Sequence, residues 1–388
     1  MARILHISVT AGSDPTGRLA LQLACDSAQR GHHTHLAFGR GPGSDQIPST
    51  RIASPVDLAI HGFATRLADR HALVSSPSAV KLCRLIDSFR PDLIHLHNIH
   101  GYYLSLPELC RLIANRDIPV VVTLHDAWPL TGHCATPADC SKFTLGCTTP
   151  CPRCSHYPKA LVSRSEQNLR DKAHSFSLIP RLHIVVPSQY MLDILAESHL
   201  ARRPASLIRN GIDTRRFRPD ETARSHIALA VSRHWSADKG IDDLLELRRH
   251  LPDNLRIVAV GQAPPGHRRH HGITYTGAMT SGQLIELYRR AAVLVNPSHG
   301  ESFSLVKAEA LACGTPVASY AGGASGELLT PPYGISVPTG DTASLARAAV
   351  SLAIADTNPA ELHDFAARHF NLDKMLQQYN DLYNQLLK

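Results

Sequence analysis

Short apolar segments rich in β-branched residues alternate with segments of helical spacing along the first half of the chain. This alternation is typical of βαβ units, in which helices connect the strands of a parallel sheet. A polar or Gly/Pro-rich turn follows each apolar segment, as expected where a strand ends. We therefore predict the strands of a first α/β domain at residues 3–9, 35–38, 92–97, 120–124 and 183–186.

A second alternating series begins after the segment NGID at residues 210–213. Because the first series has ended by then, we place the hinge between the two domains within residues 187–210. The second series predicts strands at residues 227–231, 256–260, 273–275, 293–295 and 316–319.

The last segment of the chain, residues 372–387, carries apolar residues at helical spacing and needs a groove to pack against. We expect this helix to pack back toward the first domain. The predicted organisation is a first domain at residues 1–200, a second at 201–370 and the C-terminal helix at 371–388.

The composition is that of a globular protein. Hydrophobic residues make up 43% of the 388 positions and charged residues 19%, which excludes disordered and fibrous classes and suits two domains. The apolar run after Met1 is too short for a secretory signal, and no window approaches the roughly 18 apolar residues of a membrane span. We expect a cytoplasmic protein that is at most peripheral to a membrane.

The net charge is +7 with histidine neutral, and the 24 histidines raise it as the pH falls. This balance suits phosphate-bearing substrates or an anionic membrane face; the alternative is a basic surface without a specific partner. Nucleic acid is disfavoured, because the short basic groups Arg202-Arg203 and Arg215-Arg216 are scattered rather than gathered in one stripe with aromatic residues.

The strongest chemical signal follows the predicted strand at 293–295, in the segment HGESFSLVKAEALACGTPV. If a helix begins near Ser304, its free N–H groups lie at the carboxyl edge of the sheet, where phosphate binds well. The carboxylate of Glu309 then suits the two ribose hydroxyls of a nucleotide, and Glu301 suits sugar hydroxyls beyond the phosphates. The alternative is a solvated helix with two ordinary surface acids.

A second signal lies in the loop after the predicted strand at 227–231. Arg233 and Lys239 leave the same sheet edge and can neutralise a departing nucleoside diphosphate without a divalent metal. The alternative is that both are solvated cations before a helix.

Together these residues resemble glycosyltransferase family 4, of the α/β GT-B fold, and the resemblance covers nearly the whole chain. It implies two Rossmann-like, doubly wound domains with a cleft between them. Other segments carry the resemblance as well: VPS at 186–188, IRNGID at 208–213 followed by Phe217 and Pro219, and Gly322-Gly323 before Glu327.

The resemblance implies a retaining, metal-independent transfer of a sugar from a nucleotide diphosphate donor, with front-face attack and no enzyme nucleophile. Arg233 and Lys239 then bind the diphosphate, Glu309 the ribose and Glu301 the donor sugar. The donor-binding set implied in this way also includes Gly12, Gly17, Ser302, Phe303 and Ser304.

The first domain is expected to supply the acceptor side. Its loop from Gly12 to Gly17 is then near the phosphates, and His125 is near the reacting carbon. His125 or Asp126 can act as a base, although a histidine at a strand end is often a structural group. Ser304 stands where many relatives carry glycine, and the first-domain loop has fewer glycines than theirs, so the donor's sugar and base stay open.

A narrower resemblance lies in the segments DLIHLHNIHGYY at 92–103 and HDAWPLTGHC at 125–134. They look like the bacterial exopolysaccharide and O-antigen branch, of the colanic-acid type. The resemblance implies transfer of a hexose to a saccharide, usually lipid-linked, in cell-surface polysaccharide biosynthesis, with peripheral contact at the inner face of the cytoplasmic membrane.

The loop at residues 133–157 is rich in cysteine and includes the pair CPRC. With its five cysteines and with His133 and His156, the loop has enough ligands to close a structural zinc site, and we predict that four of the cysteines bind the ion. Four protein ligands leave no open position on the zinc for catalysis. Free thiols and a disulfide are the alternatives, the latter disfavoured in a reducing compartment. The candidate ligands are Cys134, Cys140, Cys147, Cys151 and Cys154.

Three rival functions stay open. A nucleotide-sugar epimerase of the same fold shares the donor site but needs no acceptor. A zinc-ribbon nucleic-acid-binding protein requires a second metal pair or an aromatic platform, and the sequence offers neither. A glycoside hydrolase using Glu301 and Glu309 fits poorly, because both carboxylates come from one loop and helix.

Overall fold

The computed structural model describes residues 1–388 apart from 139, 149, 263, 265, 267–271 and 328. The chain forms two compact units. The first comprises Met1–Ile208 and Leu376–Lys388, and the second Arg209–Met375. Among the described residues, no helix has both the length and the apolar character needed to cross a membrane.

The first unit is built on a parallel sheet with strand order β3-β2-β1-β4-β5-β6-β7. Its strands are β1 (Arg3–Thr10), β2 (His33–Arg40), β3 (Ser49–Arg51), β4 (Leu93–Leu96), β5 (Val120–Thr123), β6 (Leu182–Val186) and β7 (Ala205–Leu207). The helices between them are α1 (Pro15–Gln29), α2 (Pro55–Ala68), α3 (Ser78–Phe89), α4 (Leu106–Ala114), α5 (Ser165–Ser177) and α6 (Gln189–Ala196).

The second unit is built on a second parallel sheet, in the order β10-β9-β8-β11-β12-β13. Its strands are β8 (Ser225–His234), β9 (Arg256–Gln262), β10 (Ile273–Gly277), β11 (Ala291–Asn296), β12 (Val317–Tyr320) and β13 (Gly334–Val337). The remaining helices are α7 (Ile241–His250), α8 (Ser281–Arg290), α9 (Leu305–Ala312), α10 (Thr342–Ile354), α11 (Pro359–His369) and α12 (Leu372–Leu386).

The prediction of an α/β protein with two parallel sheets is confirmed. Every residue of β4, β5 and β6 is buried, as expected for strands covered by helices on both faces. Strands β3, β7 and β13 were not predicted, and the predicted strand at 92–97 is shorter, since β4 ends at Leu96.

The C-terminal helix α12 packs on the sheet of the first unit through two buried tyrosines. The hydroxyl of Tyr383 lies 2.6 Å from His95 Nδ1, and that of Tyr379 lies 2.9 Å from Thr123 Oγ1. His95 Nε2 lies 2.8 Å from the same threonine oxygen. The apolar face of α12 thus has a partner within this unit, and its tyrosines satisfy polar groups that the strands bury.

Gly17 lets α1 approach β1 closely. A Cβ atom there would lie 2.1 Å from Thr10 Oγ1 and 2.8 Å from the Thr10 carbonyl oxygen, which is closer than any real contact. The amide of Gly17 also donates to the N-cap carboxylate of Asp14 at 2.7 Å. The glycine is therefore required by packing at the end of β1.

We expect Gly17→Ala to lower the free energy of unfolding by about 3 kcal/mol, because the added methyl must push the helix off the strand. Urea denaturation measures the change. The matched control is Gly62→Ala in α2, where a Cβ meets no atom within 4 Å. That change should be neutral or stabilising by about 0.5–1 kcal/mol. An equal change in the free energy of unfolding for Gly17→Ala and Gly62→Ala would show that close packing against Thr10 is not the reason for glycine at position 17.

Candidate active site

Two loops of the second unit meet at the carboxyl ends of β8 and β11, which are neighbours in the sheet. The His299 amide donates to the Asp238 carbonyl at 3.0 Å, and the His299 imidazole lies 2.8 Å from Asp243 Oδ2. Gly240 adopts φ +70°, and a Cβ there would lie 2.2 Å from the Pro297 carbonyl oxygen. These contacts fix the loop after β8 against the loop after β11.

The docked loops bring Lys239 to Glu301. The Lys239 ammonium nitrogen lies 3.0 Å from Glu301 Oε1; the Glu301 side chain is only 12% exposed, whereas that of Lys239 is 40% exposed. The second carboxylate oxygen of Glu301, Oε2, is buried and has no hydrogen-bond partner among the described residues. The pair therefore offers one accessible cation and one buried acceptor with spare capacity.

The Glu301 carboxylate is ionised at neutral pH. Burial by itself raises the pKa of this group, but the positive charges of Lys239 and Lys307 and hydrogen bonds from Ser304 and Lys239 outweigh it, so the pKa lies below its usual value. A buried carboxylate that stays charged is a strong acceptor for hydroxyl groups.

Lys307, in the first turn of α9, is a site residue that the sequence analysis missed. Its side chain is buried and its ammonium donates to the Ser325 carbonyl. Burial lowers the pKa of Lys307 to about 8, against the opposing pull of Glu301 and Glu327. A lysine between two acids of one motif was a visible signal, but the sequence does not show that it is buried.

Helix α9 begins after Ser304, as predicted, and the serine hydroxyl does not cap it. Instead that hydroxyl accepts from Asn296 Nδ2 at 3.3 Å, which ties it to the end of β11. Further along the helix, Glu309 is half-buried and its Oε2 accepts from the Tyr288 hydroxyl at 3.0 Å. The N-terminal amides of α9 and the two carboxylates thus belong to one strand–loop–helix segment, with Glu309 held in place from α8.

The other predicted donor-side residues differ in their surroundings. Arg233 is exposed near the end of β8. Phe303 packs edge-on against Phe370, with ring centroids 5.8 Å apart, which gives it a packing role in the core of this unit. Ser302 is partly buried beside Glu301. In the first unit, Gly12 adopts φ +115° in the turn after β1, and Gly17 lies in α1.

His125 and Asp126 follow β5 in the first unit, and both are held by other histidines. Asp126 Oδ2 lies 2.8 Å from His100 Nε2, and its Oδ1 accepts from the Trp128 amide at 3.0 Å. Burial raises the Asp126 pKa, but His100 and these hydrogen bonds bring it below the usual value. Burial lowers the pKa of His125 to about 4, despite the opposing effect of Asp126, so its imidazole is neutral at pH 7.

A row of buried histidines extends from His125 into the core. His97 Nδ1 lies 3.1 Å from His125 Nε2, and His97 Nε2 lies 3.4 Å from His6 Nδ1. His95 lies beside His97 with ring centroids 4.0 Å apart and ring planes inclined at 38°. Ligand atoms of His6, His95 and His97 lie within 4.8 Å of one another, but both ring nitrogens of His95 and His97 are near protein partners. The row is therefore a hydrogen-bonded support for His125.

The connection of these histidines with His125 was not predicted from the sequence. The signal that could have found them is the register of the sheet, since His6 of β1 pairs directly with His95 of β4. Strand alternation then puts His95 and His97 on the same face. Side chains on one face of neighbouring strands are in contact, but the order of strands was needed to see it.

All nine cysteines lie among the described residues, and no two of them form a disulfide bond. Cys134, Cys140, Cys147 and Cys151 line one small cavity, together with His133 and residues of the surrounding loop. Cys154 belongs to a different group, with one ligand atom each from Cys154, Asp69 and His133 lying within 4.8 Å of one another. The cavity is thus lined by four of the five cysteines of the loop.

Comparisons with known proteins cover both units. Residues 16–216 match the family model described as Glycosyltransferase Family 4, and residues 225–354 match the model for glycosyl transferases group 1. The putative colanic acid biosynthesis glycosyl transferase WcaC of Escherichia coli (strain K12) is 25% identical, over 99% of this chain and 100% of the relative.

Solved structures show the same fold. Sucrose-phosphate synthase from Thermosynechococcus elongatus superimposes with a TM-score of 0.76 at 20% identity, covering 100% of this chain and 99% of the other. Anabaena Alr3699/HepE in complex with UDP-glucose superimposes with a TM-score of 0.70 at 16% identity, covering 99% of this chain and 100% of the other. The predicted GT-B fold is confirmed.

Proposed function

Because the chain belongs to glycosyltransferase family 4, we propose that it is a retaining, metal-independent hexosyltransferase that uses a nucleotide diphosphate sugar as donor. The observation that carries this proposal is the contact of Lys239 with Glu301 at the carboxyl ends of β8 and β11. It combines an accessible cation with a buried, ionised carboxylate beside the start of α9, which suits a ligand that is anionic at one end and hydroxylated at the other.

In the proposed mechanism the protein stabilises charge and orients the donor. Lys239 and Arg233 neutralise the diphosphate as it departs, and the amides at the start of α9 add the positive end of the helix dipole. In this proposal these groups neutralise the charge of the departing diphosphate, so that no divalent metal is needed.

The two carboxylates have separate tasks in this proposal. Glu309 accepts hydrogen bonds from the ribose hydroxyls, and its geometry is fixed by the Tyr288 hydroxyl at 3.0 Å. Glu301 accepts from hydroxyls of the donor sugar through Oε2, the buried oxygen that has no partner among the described residues. A sugar hydroxyl that donates to Oε2 would supply its missing hydrogen bond, and leaving a buried acceptor without one costs free energy.

The acceptor side is assigned to the first unit. The departing phosphate takes the acceptor proton in a front-face attack, so the enzyme needs no nucleophile. His125 is neutral and lies within hydrogen-bond distance of His97, so its proposed role is to position the acceptor hydroxyl rather than to carry charge. Asp126, ionised and paired with His100, is the alternative base.

The proposed acceptor is a lipid-linked saccharide of bacterial cell-surface polysaccharide biosynthesis. The full-length similarity to a putative colanic acid biosynthesis glycosyl transferase supports a saccharide acceptor of polysaccharide biosynthesis, and the UDP-glucose complex of a structural neighbour supports a nucleotide sugar as donor. The net charge of +7 suits peripheral contact with an anionic membrane face on the cytoplasmic side.

The proposal is tested by incubating the protein with UDP-glucose, UDP-galactose, UDP-N-acetylglucosamine and GDP-mannose, each with and without a polyprenyl diphosphate-linked monosaccharide. We expect one donor to be consumed only when acceptor is present and without added Mg²⁺ or Mn²⁺. The anomeric configuration of the product, read by NMR, should equal that of the donor.

The rival functions give different results in the same experiment. Conversion of a nucleotide sugar into its isomer without acceptor identifies an epimerase. An inverted anomer refutes the retaining mechanism, and a rate that depends on added Mn²⁺ refutes metal independence. Steep salt-dependent binding of nucleic acid, without sugar transfer, would instead support the zinc-ribbon alternative.

A further inference from the structure

In the first unit, four cysteines of the loop at residues 133–157 surround one cavity, and the proposed transfer reaction does not use them. Cys134, Cys140, Cys147 and Cys151 are among the residues that line a space of about 10 Å³. That is close to the room taken by one water molecule, so the space admits a single small ion. Four cysteines around a space of this size match the ligand set of a structural zinc site.

Local backbone features bring two of these cysteines together. A short helical turn at Lys142–Leu145 lies between Cys140 and Cys147, and Gly146 ends it at φ +91°. The Cys147 amide then donates back to the Lys142 carbonyl at 2.7 Å. The chain reverses at this point, which places Cys147 beside the cavity that Cys140 also lines.

The surroundings of the cavity suit an anionic metal centre. The Gly132 amide donates to Cys147 Sγ at 3.2 Å. The Lys172 side chain is fully buried, and its ammonium donates to the carbonyls of Trp128 and Thr131 at 2.7 and 2.8 Å. Zinc bound by four thiolates carries a net charge of about −2, and a buried cation and an amide donor nearby offset that charge.

The fifth cysteine of the loop, Cys154, is absent from the residues that line the four-cysteine cavity. One ligand atom of Cys154 groups with one each from Asp69 and His133, and its side chain hydrogen-bonds to that of Cys151. Its sulfur donates to the Val162 carbonyl at 3.8 Å. Cys154 therefore serves as a matched control for the other four.

We propose that Cys134, Cys140, Cys147 and Cys151 bind one structural Zn²⁺ ion. Among the described residues, the four sulfur atoms are not all within 4.8 Å of one another, so binding draws the loop inward around the ion. With four protein ligands the ion has no open position, and it takes no part in sugar transfer. This site is independent of the proposed donor chemistry in the second unit.

The zinc site fixes the segment that follows His125. Trp128 is bonded through its amide to Asp126, and through its carbonyl to Lys172. The Thr131 hydroxyl donates to the Cys134 carbonyl at 2.6 Å. The ion thus anchors a loop that is tied directly to the acceptor-side residues, as a metal does when it supplies the stability of a small loop.

The test is the zinc content of the full chain after purification in reducing buffer without chelator, measured by mass spectrometry. We expect about one zinc ion per chain in the wild type and in Cys154→Ser. The variants Cys140→Ser and Cys151→Ser should retain less than about one fifth of that amount. A metal-free wild-type protein, or an equal loss from Cys154→Ser, would overturn the proposal.

A second measurement covers the case in which the serine variants fail to fold. X-ray absorption at the zinc edge of the wild-type protein should show sulfur ligands alone at about 2.3 Å. A nitrogen ligand at about 2.0 Å would replace one of the four cysteines by a histidine and would contradict the proposed ligand set. Neither result depends on sugar transfer, so the zinc proposal can fail while the transferase proposal stands.

Discussion

Replacing Lys239 by alanine is expected to lower kcat/KM by about 10²–10³-fold while leaving thermal stability nearly unchanged. The ammonium lies 3.0 Å from Glu301 and is 40% exposed, so it is accessible to a diphosphate but carries little of the fold's stability. Steady-state kinetics with the preferred nucleotide sugar measures the loss, and a thermal melt measures the stability.

The matched control for this variant is Lys81→Ala, which removes an exposed lysine from α3 of the first unit. That change should leave kcat/KM within about twofold of the wild type. Glu309→Ala should reproduce the loss seen with Lys239→Ala, because the ribose and the diphosphate belong to one donor. Near-normal turnover in both Lys239→Ala and Glu309→Ala would show that the donor does not bind at the carboxyl ends of β8 and β11.

Replacing Lys307 by methionine is expected to lower the free energy of unfolding by about 3–5 kcal/mol. The ammonium is buried, donates to the Ser325 carbonyl and offsets the charge of Glu301. Methionine keeps most of the volume but leaves a buried carbonyl and a buried carboxylate without this partner. Denaturant titration monitored by circular dichroism measures the change.

A double-mutant cycle separates charge from packing. Glu301→Gln removes the carboxylate, so the double variant with Lys307→Met should be more stable than the sum of the two single changes predicts, by about 0.5–3 kcal/mol. Lys239→Met is the comparison within the same cluster, and because the Lys239 side chain is 40% exposed, its loss should lower the free energy of unfolding by less than about 1 kcal/mol. Strict additivity of Lys307→Met and Glu301→Gln would show that the two charges do not interact.

Most of the strands that the sequence predicted lie inside a parallel sheet, and the exception is β10 at the edge of the second sheet. Val120–Thr123 is an apolar, β-branched run because it is buried on both faces, and it could be recognised without any knowledge of its neighbours. The strand Ser49–Arg51 lies at the edge of the sheet and consists of polar residues, so it has no hydrophobic signal. Its structure comes from pairing with β2, which only the folded chain reveals.

The candidate site divides in the same way. Glu301, Ser304 and Glu309 lie in one contiguous segment, so their order along a loop and a helix could be predicted from the sequence. The burial of Lys307 and the support of His125 by His97 depend on tertiary contacts, and local patterns do not encode them.

The cysteine loop lies between these two cases. The sequence predicted that four of five cysteines can bind a metal, but it could not choose among them. The proposed set rests on one tertiary feature, the cavity that Cys134, Cys140, Cys147 and Cys151 line and Cys154 does not. Spacing along a loop shows which ligands are available, but the path of the folded chain is needed to propose which of them act together.

A crystal structure with a bound nucleoside diphosphate decides whether the donor site lies at the carboxyl ends of β8 and β11; the ligand is the one of UDP, GDP and ADP that raises the melting temperature most. We expect diphosphate oxygens within hydrogen-bond distance of Lys239 and Arg233, and ribose hydroxyls within hydrogen-bond distance of Glu309. A nucleotide bound with neither Lys239 nor Glu309 in contact would contradict the proposed donor site.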